Sequence, residues 1–279
     1  MTTHGPALSG KVRQVVAGAR WACKTYHYTD TEKFKCWGSG ARNEEVARIL
    51  LGEAVPIIGA TWDDEEAEHV LIEWIDAEPL DPAVATRNQF IMAGKVLGRI
   101  HSHGNSYWGA LDGSFRFENP TDALRSRIGA SVRLLAATDP ALADALTRWS
   151  DQQLSRVAWN ERPSLIHGDF GVRNLLCSGV DHLYVIDWEH ARWGDPLEDW
   201  AMMRFSLAFP TPNSFGSRQN LCQVKTGWRE TAGRPLPRDD ALEKLLYAYY
   251  AACLGVFFAK SQNPRLRWLR LFLEEHGGP

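Results

Sequence analysis

Short apolar runs with an alternating pattern dominate the first 75 residues and predict a strand-rich segment. Valine and aromatic residues recur at every second position in several of these runs, which is typical of half-buried strands. One segment departs from this pattern, because Val46, Ile49 and Leu50 share a face at helical spacing before Gly52. The predicted elements are, in order, strands 11–16 and 20–28, a helix over 42–51, and strands 56–61 and 69–75.

Beyond Pro82 the hydrophobic pattern becomes largely helical. Helical spacing is clear over 87–101, from Thr121 onward and again over 197–275. Two short apolar runs interrupt it, Ser164–Ile166 and Leu183–Ile186, and each run ends at a polar residue. These runs predict two paired strands that deliver polar side chains to one edge of a sheet.

The change of pattern predicts an α+β protein with two lobes. A chain of 279 residues with 44% hydrophobic residues is long enough for one bilobed unit with a sizeable core. We expect a β-rich lobe over residues 1–75 and a larger helical lobe over residues 76–279. The cleft between two such lobes is the natural place for a binding site.

Charge and composition exclude several classes of protein. A net charge of -3 and a pI near 6.3 argue against a nucleic-acid partner, which usually requires a strong basic excess. The longest apolar run, 245–259, is too short to span a bilayer and predicts a buried helix, and the first ten residues do not resemble a secretory signal. Five scattered cysteines without a C-x-x-C pair argue against a disulfide framework or a zinc site, so a cytoplasmic location is expected. The sequence does not indicate an oligomeric state.

The segment 167–174 has the form H-x-D-x-x-x-x-N, and the apolar run 183–186 ends at Asp187. An alcohol that attacks a phosphate needs a carboxylate to orient it and accept its proton, and Asp169 suits that task. Mg²⁺ prefers oxygen ligands, and Asn174 and Asp187 can supply them. His167 is then expected to brace the loop, so the pattern predicts phosphoryl transfer.

Together with this motif, three further segments resemble the aminoglycoside phosphotransferase and choline kinase-like family, which shares its architecture with protein kinases. They are Leu97–Ser102, Ile186–Glu189 and Gly194–Ala201. The resemblance implies a protein-kinase-like fold and an enzyme that transfers a phosphoryl group from ATP, with Mg²⁺, to a hydroxyl of a small molecule. Acceptors within the family include antibiotics, choline, homoserine and sugar-like compounds. We expect an antibiotic first, because the helical part is rich in acidic and aromatic residues.

The resemblance also places a phosphate-binding lysine on the second strand, where Lys24 lies. Such a lysine needs an acidic partner from a helix, and Glu45 is preferred here over its neighbour Glu44. Lys33 and Lys35 are alternatives to Lys24, which would then be an ordinary strand lysine.

The remaining nucleotide contacts are predicted by elimination and by position. There is no G-x-x-x-x-G-K-[ST] and no G-x-G-x-x-G, so Ser9 and Gly10 are expected to cover the phosphates. Glu73, Trp74 and Ile75 fall where the connector between lobes should contact the adenine, although they could equally be a strand end. Glu189 could contact metal or acceptor, or only cap a loop. A rival to the enzyme is a catalytically silent nucleotide-binding module.

Overall fold

An antiparallel sheet forms the N-terminal part of the protein. The computed structural model describes residues 12–15, 21–27, 39–159, 162–179, 182–208, 215–233, 239–257 and 263–276. The strands of this sheet lie in the order β1-β2-β4-β3. They are β1 (Val12–Val15), β2 (Trp21–His27), β3 (Ile58–Asp63) and β4 (Ala67–Glu73).

Strands β3 and β4 each reach two residues further toward the turn that joins them than the sequence predicts. The carboxylate of Asp64 accepts hydrogen bonds from the backbone nitrogens of Glu66 and Ala67, at 2.8 and 2.9 Å. This aspartate turn lets the strands begin pairing at once, and they extend to residues 63 and 67 instead of stopping at 61 and 69.

Helix α1 (Gly40–Leu51) packs beneath this sheet and confirms the helix predicted over 42–51. Ser39 caps it by accepting a hydrogen bond from the backbone nitrogen of Arg42 at 3.0 Å. Gly52 ends the helix with a φ of 60°, a conformation that residues with a Cβ rarely adopt. The buried face of α1 carries Asn43 and Glu44 as well as apolar residues, so two polar side chains point away from water.

Two small sheets follow in the rest of the chain, and they correct one prediction. The first has the order β10-β9-β5, and the second has the order β7-β6-β11-β8. Their strands are β5 (Glu78–Pro79), β6 (Trp108–Ala110), β7 (Arg116–Phe117), β8 (Ser164–Ile166), β9 (Leu175–Ser178), β10 (His182–Val185) and β11 (Arg192–Gly194). The prediction that β8 and β10 pair is wrong, because β8 pairs with β11 and β10 pairs with β9. A run that is apolar on both faces does not specify its partner.

Helices make up most of the described chain after residue 86, and they enclose the main core. They are α2 (Arg87–Ser102), α3 (Pro120–Ala136), α4 (Pro140–Leu154), α5 (Pro196–Ala208), α6 (Phe215–Thr231), α7 (Asp240–Phe257) and α8 (Pro264–His276). Strands in the N-terminal region and a mostly helical remainder confirm the predicted α+β class.

Helices α2 and α6 approach each other closely through glycine. A Cβ on Gly94 would lie 1.9 Å from the carbonyl oxygen of Val224, and a Cβ on Gly227 would lie 1.9 Å from that of Ile91. Only glycine allows this backbone-to-backbone contact, which brings a tryptophan of α6 against the end of α2.

The described helices include none with the length and apolar character needed to cross a bilayer. The apolar run 245–259 lies mostly in α7, where Leu245, Ala248, Ala251 and Ala252 are buried in the main core.

Candidate active site

The loop that follows β8 is built around the buried imidazole of His167. Its Nε2 donates a hydrogen bond to the carbonyl oxygen of Ile186 at 2.9 Å, and its Nδ1 accepts one from the backbone nitrogen of Asp169 at 3.2 Å. One nitrogen donates and the other accepts, so the ring is neutral. Burial lowers the pKa of His167 and favours this form. His167 thus connects β8 to the end of β10, although the two strands belong to different sheets.

Asp169 and Asn174 face each other across this loop. The amide nitrogen of Asn174 donates to the backbone oxygen of Asp169 at 2.8 Å and to its carboxylate Oδ2 at 3.0 Å. A turn of 3₁₀-helix over Val172–Asn174 brings the amide back to the carboxylate. Burial and the charge of Asp187 raise the pKa of Asp169 to about 7, against the opposing effect of the Asn174 hydrogen bond. A carboxylate that exchanges a proton near neutral pH is suited to act as a general base.

Asp199, near the start of α5, holds the same loop from below. Its carboxylate accepts hydrogen bonds from the backbone nitrogens of His167 at 2.8 Å and Gly168 at 2.7 Å. The Nε2 of His101 donates to it at 3.1 Å, and the Nδ1 of His101 accepts from Trp228 Nε1 at 3.0 Å. Helices α2, α5 and α6 therefore orient the loop through one continuous chain of buried hydrogen bonds.

A second buried group packs behind the loop. The carboxylate of Glu198 accepts hydrogen bonds from the guanidinium groups of Arg127 and Arg192. Arg192 also donates to the carbonyl oxygen of His190 at 2.7 Å. Gly168 lies against this arginine, and a Cβ there would come within 2.4 Å of its Nη1. With a φ of 83° as well, position 168 admits only glycine without strain.

Asp187 stands at the end of β10 in the left-handed conformation, with φ 69° and ψ 58°. It is the one non-glycine residue with positive φ in the ranges that the structure describes. Its Oδ1 lies 2.9 Å from the Nζ of Lys24, so β10 and the N-terminal sheet meet at this ion pair. A strained backbone at a charged residue is common where the side chain has a functional task.

Lys24 bridges two carboxylates, and its second partner corrects the predicted pairing. Its Nζ lies 2.5 Å from Oε1 of Glu44, whereas Glu45 bonds to Thr61 and Arg42 on the outer side of α1. The preference for Glu45 is wrong because adjacent helical residues point about 100° apart, and the register of α1 turns Glu44 inward. Burial lowers the pKa of Lys24, but the charges of Asp187 and Glu44 outweigh it and hold the pKa well above its ordinary value. The lysine is therefore a fixed positive charge at the site.

The other residues predicted to contact the nucleotide lie at the end of β4, in the segment directly after it, or outside the described residues. Glu73 ends β4, and its carboxylate accepts from the backbone nitrogen of Ile57 at 3.2 Å. Trp74 and Ile75 lie in the irregular segment between β4 and β5, as expected of a connector. The predicted residues Ser9 and Gly10, and the alternatives Lys33 and Lys35, lie outside the described residues.

The donor set at this site fits Mg²⁺. The amide nitrogen of Asn174 donates to Asp169, so its side-chain carbonyl oxygen is the atom that could bind a metal. Asp187, after strand β10, supplies a carboxylate. In the part of the chain that the structure describes, no three His, Cys, Asp or Glu side chains cluster as metal ligands. Mg²⁺ does not need such a cage, because it is usually held by one or two protein oxygens together with substrate phosphates.

Sequence reasoning missed Asn43, and it did not find the roles of Arg127, Arg192 and His101. His101 bridges Asp199 and Trp228 through its two ring nitrogens. A signal existed for Asp199, since a carboxylate in the first turn of a buried helix must find partners. No local signal points to Asn43 or to Arg127, because their partners are distant in sequence, and the pairing of Arg192 with Glu198 six residues later depends on how β11 meets α5.

Comparison with known protein families gives one match that covers most of this chain. A sequence model described as the phosphotransferase enzyme family matches residues 41–233. Among curated proteins, the protein StrN of Streptomyces griseus is 28% identical over 155 residues, which cover 48% of each chain. This chain therefore spans about half the length of that relative.

Solved structures resemble this chain over most of its length. Choline kinase LicA from Streptococcus pneumoniae has a TM-score of 0.63 at 16% identity, covering 91% of this chain and 86% of that one. Spectinomycin phosphotransferase, in complex with ADP and spectinomycin, has a TM-score of 0.58 at 15% identity, covering 93% and 82%. These likenesses show the fold, and they confirm the protein-kinase-like architecture that the sequence predicted.

Proposed function

Because this chain belongs to the phosphotransferase enzyme family, we propose that it transfers the γ-phosphoryl group of ATP to a hydroxyl of a small molecule. The observation that carries the proposal is the convergence of Lys24, Glu44, Asp169, Asn174 and Asp187 at one place. The family match confirms the predicted resemblance, and it supports an enzyme over a catalytically silent nucleotide-binding module.

Each residue at the site has a defined task in this reaction. Asp169 orients the acceptor hydroxyl and accepts its proton, as its pKa of about 7 allows. Lys24 places a permanent positive charge on the nucleotide phosphates, and Glu44 fixes its direction. Asn174 and Asp187 would hold Mg²⁺, which when bound neutralises the phosphate oxygens. His167 and Asp199 keep the loop in place. The proposed transfer is direct and in line, with no covalent enzyme intermediate.

The division of labour follows the two parts of the chain. We assign nucleotide binding to residues 1–75, with the connector Glu73–Ile75 at the adenine and Ser9 and Gly10 over the phosphates. We assign the catalytic loop and the acceptor to residues 76–279. Glu189 contacts both parts of the chain. Its backbone oxygen accepts a hydrogen bond from Asn43, and its carboxylate lies 3.4 Å from His190. We assign the enzyme to the cytoplasm because it is proposed to consume ATP and because its five cysteines are scattered without a C-x-x-C pair.

The proposed acceptor is an antibiotic with a hydroxylated ring. This choice is supported by spectinomycin phosphotransferase, which has a similar fold and was solved in complex with ADP and spectinomycin. Choline, homoserine and sugar-like metabolites are the alternative acceptors, and choline kinase LicA shares the fold equally well.

The test of the function is a mass-spectrometric screen for phosphorylation. Purified protein is incubated with Mg²⁺-ATP and a panel of aminoglycosides, spectinomycin, choline, homoserine and monosaccharides. We expect one class to gain 80 Da per acceptor in the presence of protein and ATP. A panel in which no compound gains mass, while the protein binds Mg²⁺-ATP, would contradict the proposed reaction for all of these classes.

A pair of adjacent glutamates tests the assignment of the lysine partner. Glu44→Gln should raise KM for ATP or lower kcat by about tenfold to a hundredfold, because it weakens a charge-assisted hydrogen bond to a buried lysine. Glu45→Gln is the matched control and should change either constant less than threefold, since Glu45 faces Arg42 and Thr61. Steady-state kinetics with varied ATP measures both constants. Equal effects of the two variants would show that Glu44 has no special part.

A further inference from the structure

Asn43 forms a contact between α1 and the loop that follows Asp187. Its side chain is 1% exposed, and its amide nitrogen donates to the carbonyl oxygens of Glu189 and Ala191, both at 3.1 Å. These two carbonyls flank the end of the 3₁₀ turn Trp188–His190. One amide group therefore uses both of its hydrogens on one short loop, here defined as the metal loop, residues 187–191.

The metal loop needs support from outside because its first residue is strained. Asp187 is in the left-handed region, which is unfavourable for a residue with a Cβ. Inside the loop, the backbone nitrogen of Ala191 donates to the carbonyl oxygen of Trp188 at 2.8 Å. Helix α1 contributes further hydrogen bonds at both ends of the loop. The backbone nitrogen of Trp188 donates to Glu44 at 3.3 Å, and Asn43 donates to the carbonyl oxygens of Glu189 and Ala191. Asn43 and Glu44 are adjacent, so one helical turn sets both the loop and Lys24.

The chemistry of the side chain at position 43 is specific. Two carbonyl oxygens face it, and only a group with two N–H hydrogens can satisfy both. An aspartate there would place carboxylate oxygens, which only accept hydrogen bonds, against these two carbonyl oxygens. It would also add a negative charge to a region that already contains the carboxylates of Glu44, Asp187 and Glu189. A leucine of similar shape would leave both carbonyls without this donor, and a buried carbonyl without a partner is unfavourable.

We propose that Asn43 is a positioning residue that clamps α1 to the metal loop and thereby sets the carboxylate of Asp187 against Lys24. This inference rests on the proposed function, because Asp187 and Lys24 matter to turnover only in a phosphotransferase. It assigns the coupling between the nucleotide-binding helix and the metal-binding residue to a neutral side chain outside the H-x-D-x-x-x-x-N motif.

The experiment compares Asn43→Leu and Asn43→Ala with a control on the same helix. Arg48 also donates to two backbone carbonyls, those of Gly52 at 2.7 Å and Val55 at 2.5 Å, but both belong to the segment directly after α1. Arg48→Met therefore removes two similar hydrogen bonds without touching the metal loop. The two Asn43 variants differ in bulk, and Asn43→Ala keeps the test open if Asn43→Leu does not fold.

Two readouts are measured: kcat and KM for Mg²⁺-ATP, and hydrogen–deuterium exchange of the peptide covering 186–192 without nucleotide. We expect both Asn43 variants to lower kcat about tenfold and to speed exchange in that peptide at least fivefold. Arg48→Met should leave kcat and the exchange of 186–192 within twofold of the wild type.

Three results would overturn the clamp. Wild-type kcat in both Asn43 variants would do so, as would unchanged exchange of 186–192. The clamp would also fail if Arg48→Met lowered kcat to the same extent with the same loss of thermal stability, because the cause would then be general weakening of α1. If the wild type phosphorylates no acceptor, the proposed function fails, whereas the exchange measurement still tests the contact itself.

Discussion

Replacing Asp169 with asparagine or alanine is expected to lower kcat by a factor of about 100 to 10,000. In the proposed mechanism this carboxylate accepts the proton of the attacking hydroxyl, and its pKa of about 7 suits that transfer. Asparagine keeps the shape of the side chain and removes the base, while alanine also removes the oxygen that Asn174 contacts. Binding of Mg²⁺-ATP, measured by calorimetry, should remain within a few fold in Asp169→Asn, because the proposed mechanism assigns Asp169 to the acceptor rather than to the nucleotide.

The control for this prediction is Asp151→Ala. Asp151 is an exposed aspartate of α4 that lies 3.7 Å from the exposed Arg125, and its loss should leave kcat unchanged. Thermal unfolding of each variant shows whether the fold is retained. If Asp169→Asn turns over at the wild-type rate, another group accepts the proton and the assignment of Asp169 is wrong.

Replacing Glu198 with glutamine is expected to lower the free energy of unfolding by about 3–5 kcal/mol at pH 7. The change leaves the buried guanidinium groups of Arg127 and Arg192 without their shared negative charge. Burial by itself raises the pKa of Glu198, but the charges of Arg127 and Arg192 outweigh it and lower the pKa to about 2.

This pKa sets the sign of the pH dependence. A carboxylate with a lowered pKa in the folded state contributes stability above its unfolded pKa, which is about 4.3 for glutamate. That contribution is lost as the pH falls from about 4.3 toward 2. The difference in unfolding free energy between the wild type and Glu198→Gln should therefore be constant from pH 7 to 5 and shrink below pH 4. Urea unfolding at pH 7, 5, 4 and 3 measures it.

Glu243→Gln is the matched control for the buried glutamate. Glu243 pairs with Arg204, whose side chain is 49% exposed, and such a surface pair is worth about 0–1 kcal/mol. We expect Glu243→Gln to change the unfolding free energy by less than about 1 kcal/mol. A loss in Glu198→Gln that equals this control, or that stays the same at pH 3 and pH 7, would contradict the stabilising role of the buried cluster.

Local patterns in the sequence were enough to find the catalytic loop. The motif from His167 to Asn174 places its parts within one turn of chain, so their spacing limits the distance between Asp169 and Asn174. Helices α1 and α2 were also predictable, because their apolar spacing and the caps at their ends are properties of a single segment. Lys24 could be selected from its strand and the family resemblance.

Contacts between distant segments could not be predicted in the same way. Glu44 and Glu45 are equally acidic, and only the rotation of α1 against the sheet turns one of them toward Lys24. Strands β8 and β10 are both short and apolar, so nothing in either run shows that they join different sheets. Asp199 binds His101 from a helix 98 residues away in sequence, and Glu198 binds Arg127 from a helix 71 residues away.

The sequence by itself predicted the type of reaction, since a candidate base, two candidate metal ligands and a lysine follow from residue type, spacing and resemblance. The tertiary structure alone decided which groups hold these residues in place: Glu44 on Lys24, Asp199 under the loop, and Asn43 on the metal loop. The physical reason is that side-chain chemistry is carried by each residue, whereas its partner depends on helix rotation and sheet pairing, which are set by packing of the whole chain.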